Sequence, residues 1–288
     1  MSKIPVVQSI RFAYTFTFAH LGAIIGLIWI PMLIVSVGSF FAFSYYTSSF
    51  AAALSQGAPE AAGQAAALMS GWSVIALVLY AMMYTAVAEL ALGLRKDAPL
   101  LHFALGKREM RVFGGIAALL AILIGFFLAY LAVVAIVAGL VGASGAAAAI
   151  GAAAIVGYLA IIFVLVRLSF LMIPATVAED KVGLGRSWTL TNGNFWRIVA
   201  IGICTLLPLF LLILIAEAAI LGPDAMPLPA GNGITGQMQA AAQQMSVMNV
   251  HLPALMGLSF VVSPLIAGLT IAPACYAYRA LVPAKGSI

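Results

Sequence analysis

Six apolar stretches, at residues 19–43, 71–93, 112–141, 150–173, 197–221 and 254–279, alternate with segments that hold most of the charged side chains. A bilayer hydrocarbon core about 30 Å thick takes roughly 20 helical residues. Backbone groups in lipid must be satisfied within their own segment, which selects helices over open sheet. The pattern therefore predicts an all-α integral membrane protein with six transmembrane helices, forming a single polytopic domain over residues 1–288.

Charge orients these spans. All thirteen Lys and Arg residues fall on one side of the six spans. Lys3 and Arg11 precede the first, and Arg95, Lys96, Lys107, Arg108 and Arg111 lie between the second and third. Lys181, Arg186 and Arg197 lie between the fourth and fifth, Arg167 just inside the fourth, and Arg279 and Lys285 at the C-terminal end. The opposite loops, 44–70, 142–149 and 222–253, contain none. By the positive-inside rule the basic face, with both termini, is cytoplasmic. The apolar run from Leu21 to Phe43 exceeds the roughly 7–15 residues of a signal-peptide core, so it reads as an uncleaved first span.

Composition agrees. Hydrophobic residues make up 65% of the chain and charged residues 7%, against about a quarter charged in soluble domains. The formal charge of +5 is spread between spans rather than gathered in a groove or arm, so it reads as orientation, with no nucleic-acid partner. Cys204 and Cys275 lie near the cytoplasmic ends of their spans, a reducing setting, and read as packing residues rather than a disulfide.

The order of segments suggests repetition. Ser9 to Ile34 resembles Ser187 to Leu212: a Ser-led semi-polar stretch runs into a span that carries Pro31 or Pro208 at nearly equal depth. Residues 98–122 have the same order, and Ile173-Pro174-Ala175 pairs with Ala272-Pro273-Ala274. Three copies of an interfacial helix followed by a helical hairpin are expected, over 1–94, 95–176 and 177–288. The small residues Ala135, Gly139, Gly142, Gly145, Gly151 and Ala154 predict a tight hairpin of spans three and four. Outer residues 51–69 and 222–250 read as amphipathic loops, with a short helix over 236–250.

Most of the specific polar chemistry lies in Ile173 to Arg197 (IPATVAEDKVGLGRSWTLTNGNFWR). Glu179 and Asp180 precede an expected interfacial helix containing Arg186, which ends near Asn192-Gly193, a pair suited to left-handed backbone. Trp188 and Trp196 are placed at headgroup depth. The pattern of Pro-Ala, an acidic pair, a Gly-containing turn and Ser-Trp-x-Leu-Thr-x-Gly-Asn-Phe-Trp resembles the YciC-type bacterial inner-membrane proteins. It is also similar to the membrane domain attached to some glycerophosphodiester phosphodiesterases. The resemblance implies a six-helix protein of the bacterial inner (plasma) membrane and carries over no catalytic residue. The soluble phosphodiesterase domain is absent from this sequence, which argues against phosphodiester hydrolysis.

Ionisable groups near lipid are candidates by default. Glu89 and Arg167 lie at similar depth in spans two and four, which allows an ion pair between them, as a clasp or a substrate site. Glu217, near the outer end of span five, is a candidate for proton or cation coupling. Met245, Met248 and His251 fall at three-residue spacing, which fits either soft ligands for Cu(I) or an apolar helix face. Neither these nor His20 and His102 form a recognised metal motif. Gly231-Asn-Gly233-Ile-Thr-Gly236 matches a dinucleotide fingerprint by letter but has no strand before it. No cofactor and no metal are expected.

Two functions remain open. One is a non-catalytic protein that binds or moves an apolar or amphipathic small molecule or lipid, with membrane lipids as partners and spans interrupted at Pro31, Pro174, Pro208, Pro264 and Pro273. The other is an accessory or scaffold protein of the cell envelope that docks a protein partner at the cytoplasmic face through residues 179–196, above all Arg186 and Trp188. The topology is directly testable: reporter fusions after residues 57, 145 and 235 are expected to read outside and one after residue 103 inside. A reversal at any one site would remove the six-span arrangement.

Overall fold

The computed structural model describes residues 3–56, 59–95, 103, 105–141, 143–222 and 234–282. The described residues form helices and no strand. In chain order these are α1 (Val6–Ala19), α2 (Leu21–Gln56), α3 (Pro59–Ala91), α4 (Lys107–Val141), α5 (Ala143–Ser169), α6 (Met172–Glu179), α7 (Leu184–Leu190), α8 (Phe195–Leu221) and α9 (Ile234–Leu281). Six stretches are long and apolar enough to cross a membrane: Leu21–Phe50, Gly63–Ala91, Lys107–Val137, Ile150–Glu179, Phe195–Leu221 and Gln244–Leu281. They coincide with the six apolar runs of the sequence, and the chain is an all-α, multi-pass membrane protein.

The outer segments differ from expectation. Residues 51–56 extend α2, α3 begins at Pro59, and the short helix expected over 236–250 is the first part of α9. These stretches are rich in Ala, the strongest helix former, and Pro59 stands at a first helical position, where its missing N–H costs nothing. A short helix precedes α2 (α1) and α8 (α7); the corresponding stretch before α4 falls largely outside the described residues.

Most of the expected interruptions at proline do not occur. The backbone stays helical through Pro31, Pro208, Pro253, Pro264 and Pro273. One span breaks, between α5 and α6 at Phe170 and Leu171, so that Pro174 falls in the first turn of the new helix α6. First-turn N–H groups have no intrahelical acceptor, so proline is tolerated there.

The main core lies where α2, α3 and α9 meet α1, with Ile24, Leu27, Ile28, Val87, Ile271 and Cys275 fully or almost fully buried. A second core joins Ile4, Leu171, Ala175, Ile198, Ile201, Ala277 and Tyr278, from the N-terminus, α6, α8 and α9. Cys275 is buried and Cys204 exposed, and both are free thiols. The α4–α5 hairpin stands at the edge, with Ile124, Leu128, Ile136, Ile155 and Leu159 exposed along its length.

Close approaches at glycine set the helix seams. A Cβ on Gly38 would run into the Trp72 ring, whose Nε1 donates to Ser39 Oγ at 3.0 Å, joining α2 to α3. In the α4–α5 hairpin the close contact is Gly157 against Tyr130, 2.5 Å from a Cβ at that site. The expected seam glycines Gly139 and Gly151 face open space, and the side chains of Gly142 and Gly145 positions lie outside the described residues. A Cβ on Gly268 would lie 2.6 Å from the side chain of Thr17, which is fully buried in α1.

Gly268→Leu is therefore expected to lower stability by about 1–3 kcal/mol, the usual cost of overpacking, whereas Gly139→Ala changes little. Thermal unfolding of the two variants in detergent measures the difference; equal midpoints would mean that α1 does not pack on α9 in this register.

Candidate functional site

A broken helix creates the site. Ser187 Oγ, on α7, donates to Arg167 O at 2.7 Å and accepts from Leu171 N–H at 3.2 Å, meeting an orphan carbonyl and an orphan amide on either side of the α5–α6 break. Thr191 Oγ1 lies 2.7 Å from Ser187 O and 3.2 Å from Arg167 O and accepts from Arg167 Nε at 3.5 Å. Thr176 Oγ1 donates to Met172 O at 2.6 Å and accepts from Gly183 N–H at 2.9 Å. A Cβ on Gly183 would meet Met172 O at 2.5 Å, so the turn between α6 and α7 requires glycine. Asp180 ends α6 in left-handed backbone at φ 54°, and Gly193 takes φ 71° between α7 and α8.

Asn194 ties the N-terminus to this frame. Its Oδ1 accepts from Ile4 N–H at 3.0 Å, and Arg197 Nη1 donates to Ile4 O at 2.8 Å. Ser187, Thr191 and Asn194 are all buried, so the polar positions of the Ser-Trp-x-Leu-Thr-x-Gly-Asn motif act as backbone clamps.

The carboxylates make a separate ion-pair network. Glu89, at the end of α3, accepts from Arg95 at 2.7 Å and from Arg108 at 3.0 Å. Arg108 and Arg111, both on α4, reach Asp180 at 3.0 and 2.9 Å. Glu179 pairs with Arg186 at 2.8 Å and accepts from Tyr278 OH, on α9, at 2.8 Å. The network joins α3, α4, α6, α7 and α9 at the basic end of the bundle. A hydrogen bond from Arg108, reinforced by the charges of Arg108 and Arg111, holds the Asp180 carboxyl below its ordinary value.

The Glu89–Arg167 pair that similar depth allows does not form. Glu89 is engaged by Arg95 and Arg108, one before and one after the α3–α4 connection, while Arg167 points to α7. Its guanidinium lies 3.8 Å from the Trp188 ring centroid and 5.4 Å from that of Phe163, and Nη2 donates to Trp188 O at 2.7 Å. No carboxylate pairs with Arg167 among the described residues, although its side chain is 9% exposed. Arg186 and Trp188 are thus used within the chain, whereas Trp196 is 78% exposed. Glu217 sits half-buried at the far end of α8, away from these groups and with no ion pair among the described residues.

Between the ends of α5 and α8 opens a cavity of about 560 Å³ lined by Lys3, Phe163, Arg167, Thr191, Asn192, Gly193, Phe195, Trp196 and Arg197. It combines cationic and aromatic walls, a surface suited to the polar part of an amphipathic molecule. In the sequence Lys3 and Arg197 mark topology alone; their convergence with Arg167 depends on long-range packing. Two apolar cavities, of about 220 and 390 Å³, lie side by side between α2 and α9 and share Phe260. No cluster of three or more His, Cys, Asp or Glu side chains converges among the described residues.

A family described as a domain of unknown function (DUF7847) matches residues 4–281. The chain belongs to the DUF7847 family. No curated protein and no solved structure matches it. The DUF7847 match begins at Ile4, the residue held by Asn194 and Arg197, and ends at Leu281 of α9, so it spans both the ion-pair network and nearly all of the cavity lining.

Glu89→Gln is expected to cost about 1–3 kcal/mol, because it weakens two charge-assisted hydrogen bonds at a buried carboxylate. Asp180→Asn costs less, since that carboxylate is exposed and screened. With its folded value lowered, the Asp180 contribution is present above about pH 4 and lost as pH falls through the folded value. Thermal unfolding of wild type and Asp180→Asn is therefore expected to converge under acid and to separate near neutrality; the opposite trend would show that Asp180 is not held as a carboxylate by Arg108.

Proposed function

We propose that this chain is a non-catalytic, multi-pass protein of the bacterial inner membrane that binds or moves an amphipathic small molecule or lipid. The observation that carries the reading is the cavity between α5 and α8, where a buried arginine with no carboxylate partner among the described residues stands beside aromatic side chains at the basic end of an otherwise apolar bundle. A cation left uncompensated there is costly unless an anion or a polar headgroup meets it. The apolar cavities between α2 and α9 offer further room for hydrocarbon. The placement of the cations favours a cytoplasmic basic end with both termini, and the resemblance of residues 173–197 to YciC-type inner-membrane proteins favours the same compartment.

The accessory-protein reading draws on the same face, but Arg186 pairs with Glu179 and Trp188 covers Arg167. Substituting either disturbs the chain's own packing before it reaches any partner, which makes Trp196 the sharper probe of docking. Mass spectrometry of the tagged protein extracted in native-membrane polymer discs tests the proposal. A near-stoichiometric lipid or amphipathic molecule, reduced in Trp196→Ala, is expected. A preparation that retains no such molecule, and instead a single protein partner, would turn the assignment to an accessory subunit.

A further inference from the structure

We infer that the cavity between α5 and α8 is a site for an anionic phosphate group, supplied by a membrane-lipid headgroup or by free phosphate. The inference rests on the amphipathic-ligand reading and names the chemistry of the ligand's polar end. Lys3, Arg167 and Arg197 line the cavity, and no carboxylate does. None of the three is ion-paired among the described residues, and Glu89, Glu179 and Asp180 are engaged by Arg95, Arg108, Arg111 and Arg186 instead. A guanidinium carries five N–H donors in a planar fork that matches phosphate oxygens. Arg167 commits Nη2 to Trp188 O at 2.7 Å and makes only a long contact, 3.5 Å, through Nε to Thr191, while Arg197 commits Nη1 to Ile4 O. Donors remain on both.

A second feature converges on the same space. Phe195, Trp196 and Arg197 form the first turn of α8 and line the cavity. Asn194, at the N-cap position, makes no side-chain cap to this turn and directs its Oδ1 to Ile4 instead. The leading N–H groups of a 27-residue helix thus receive no side-chain cap from that residue, on a turn whose residues line the cavity, an arrangement that favours an anion.

The walls indicate how a lipid would continue from such a headgroup. On α5, Phe163, Leu159 and Ile155 recur every four residues away from Arg167, and on α8, Ile203 and Phe210 follow Trp196 every seven; all are exposed and apolar. Each series keeps to one helix face, so hydrocarbon leaving the cavity meets apolar surface on both sides.

The test is a binding titration of the full chain in dodecyl maltoside, read by native mass spectrometry and thermal unfolding. The probes are phosphatidylglycerol, phosphatidylcholine of the same acyl chains, and inorganic phosphate. Phosphatidylglycerol is expected to bind about tenfold or more tightly than phosphatidylcholine, and Arg197→Gln and Lys3→Gln are each expected to remove most of that preference. Lys3 is exposed, so its variant leaves the unliganded fold intact even if Arg197→Gln weakens the hold on Ile4. Protection of wild type by inorganic phosphate alone, lost in Lys3→Gln, would support the site with free phosphate as its source. Equal binding of the two lipids, with no effect of phosphate or of either substitution, would overturn the phosphate site while leaving an amphipathic ligand in place. Absence of any lipid or phosphate binding would overturn both.

Discussion

The hydroxyl of Ser187 holds the two ends of a broken membrane helix, donating to Arg167 O and accepting from Leu171 N–H. Lipid offers no replacement for either bond, so a break at this depth persists only where the protein itself supplies both partners. That requirement brings α7 against the end of α5, and the rest of the basic end follows. Thr191 adds a second hydroxyl to the same carbonyl, Trp188 covers the Arg167 guanidinium, and the turn at Gly193 starts α8 beside α5. Asn194 and Arg197 then fix Ile4, which packs with Leu171 and Ile201 in the second core.

The same constraint explains the division of labour among the charges. A carboxylate at the end of α3 needs cations within reach, and Arg95 and Arg108 supply them on either side of one connection. Asp180 and Glu179, where α6 ends, take Arg108, Arg111 and Arg186. Helices α4 and α5, which pack on one another and stand exposed at the edge of the bundle, are tied to its remaining helices at this end. The cavity opens where Lys3, Arg167 and Arg197 come together with no ion pair among the described residues.

The spans were legible in the sequence because lipid imposes a length and a polarity that local composition must satisfy. Proline misled at Pro31, Pro208, Pro264 and Pro273, where a continuous helix absorbs the missing N–H, and succeeded at Pro174, where hydroxyls from α7 satisfy the freed groups. The acidic pair Glu179-Asp180 and the Asn192-Gly193 turn were readable from local chemistry. The partners of Glu89 and Arg167 were not, because equal depth on two spans says nothing about which faces meet. Ser187, Thr191 and Asn194 passed as ordinary motif letters, although buried small polar residues beside an expected helix break are the signal of backbone clamping. The convergence of Lys3 with Arg197 across 194 positions has no local signature.

The proposed polar ligand group sits at the basic end, next to Arg167, rather than in the apolar cavities between α2 and α9. An experimental density map of the full chain in native-membrane discs, with a bound antibody fragment to aid alignment, examines that claim most directly. Headgroup density between Arg167 and Arg197, with a tail running past Leu159 or Ile203, is the expected result. An empty cavity at Arg167, with an ordered ligand seated only beside Phe260, would contradict it.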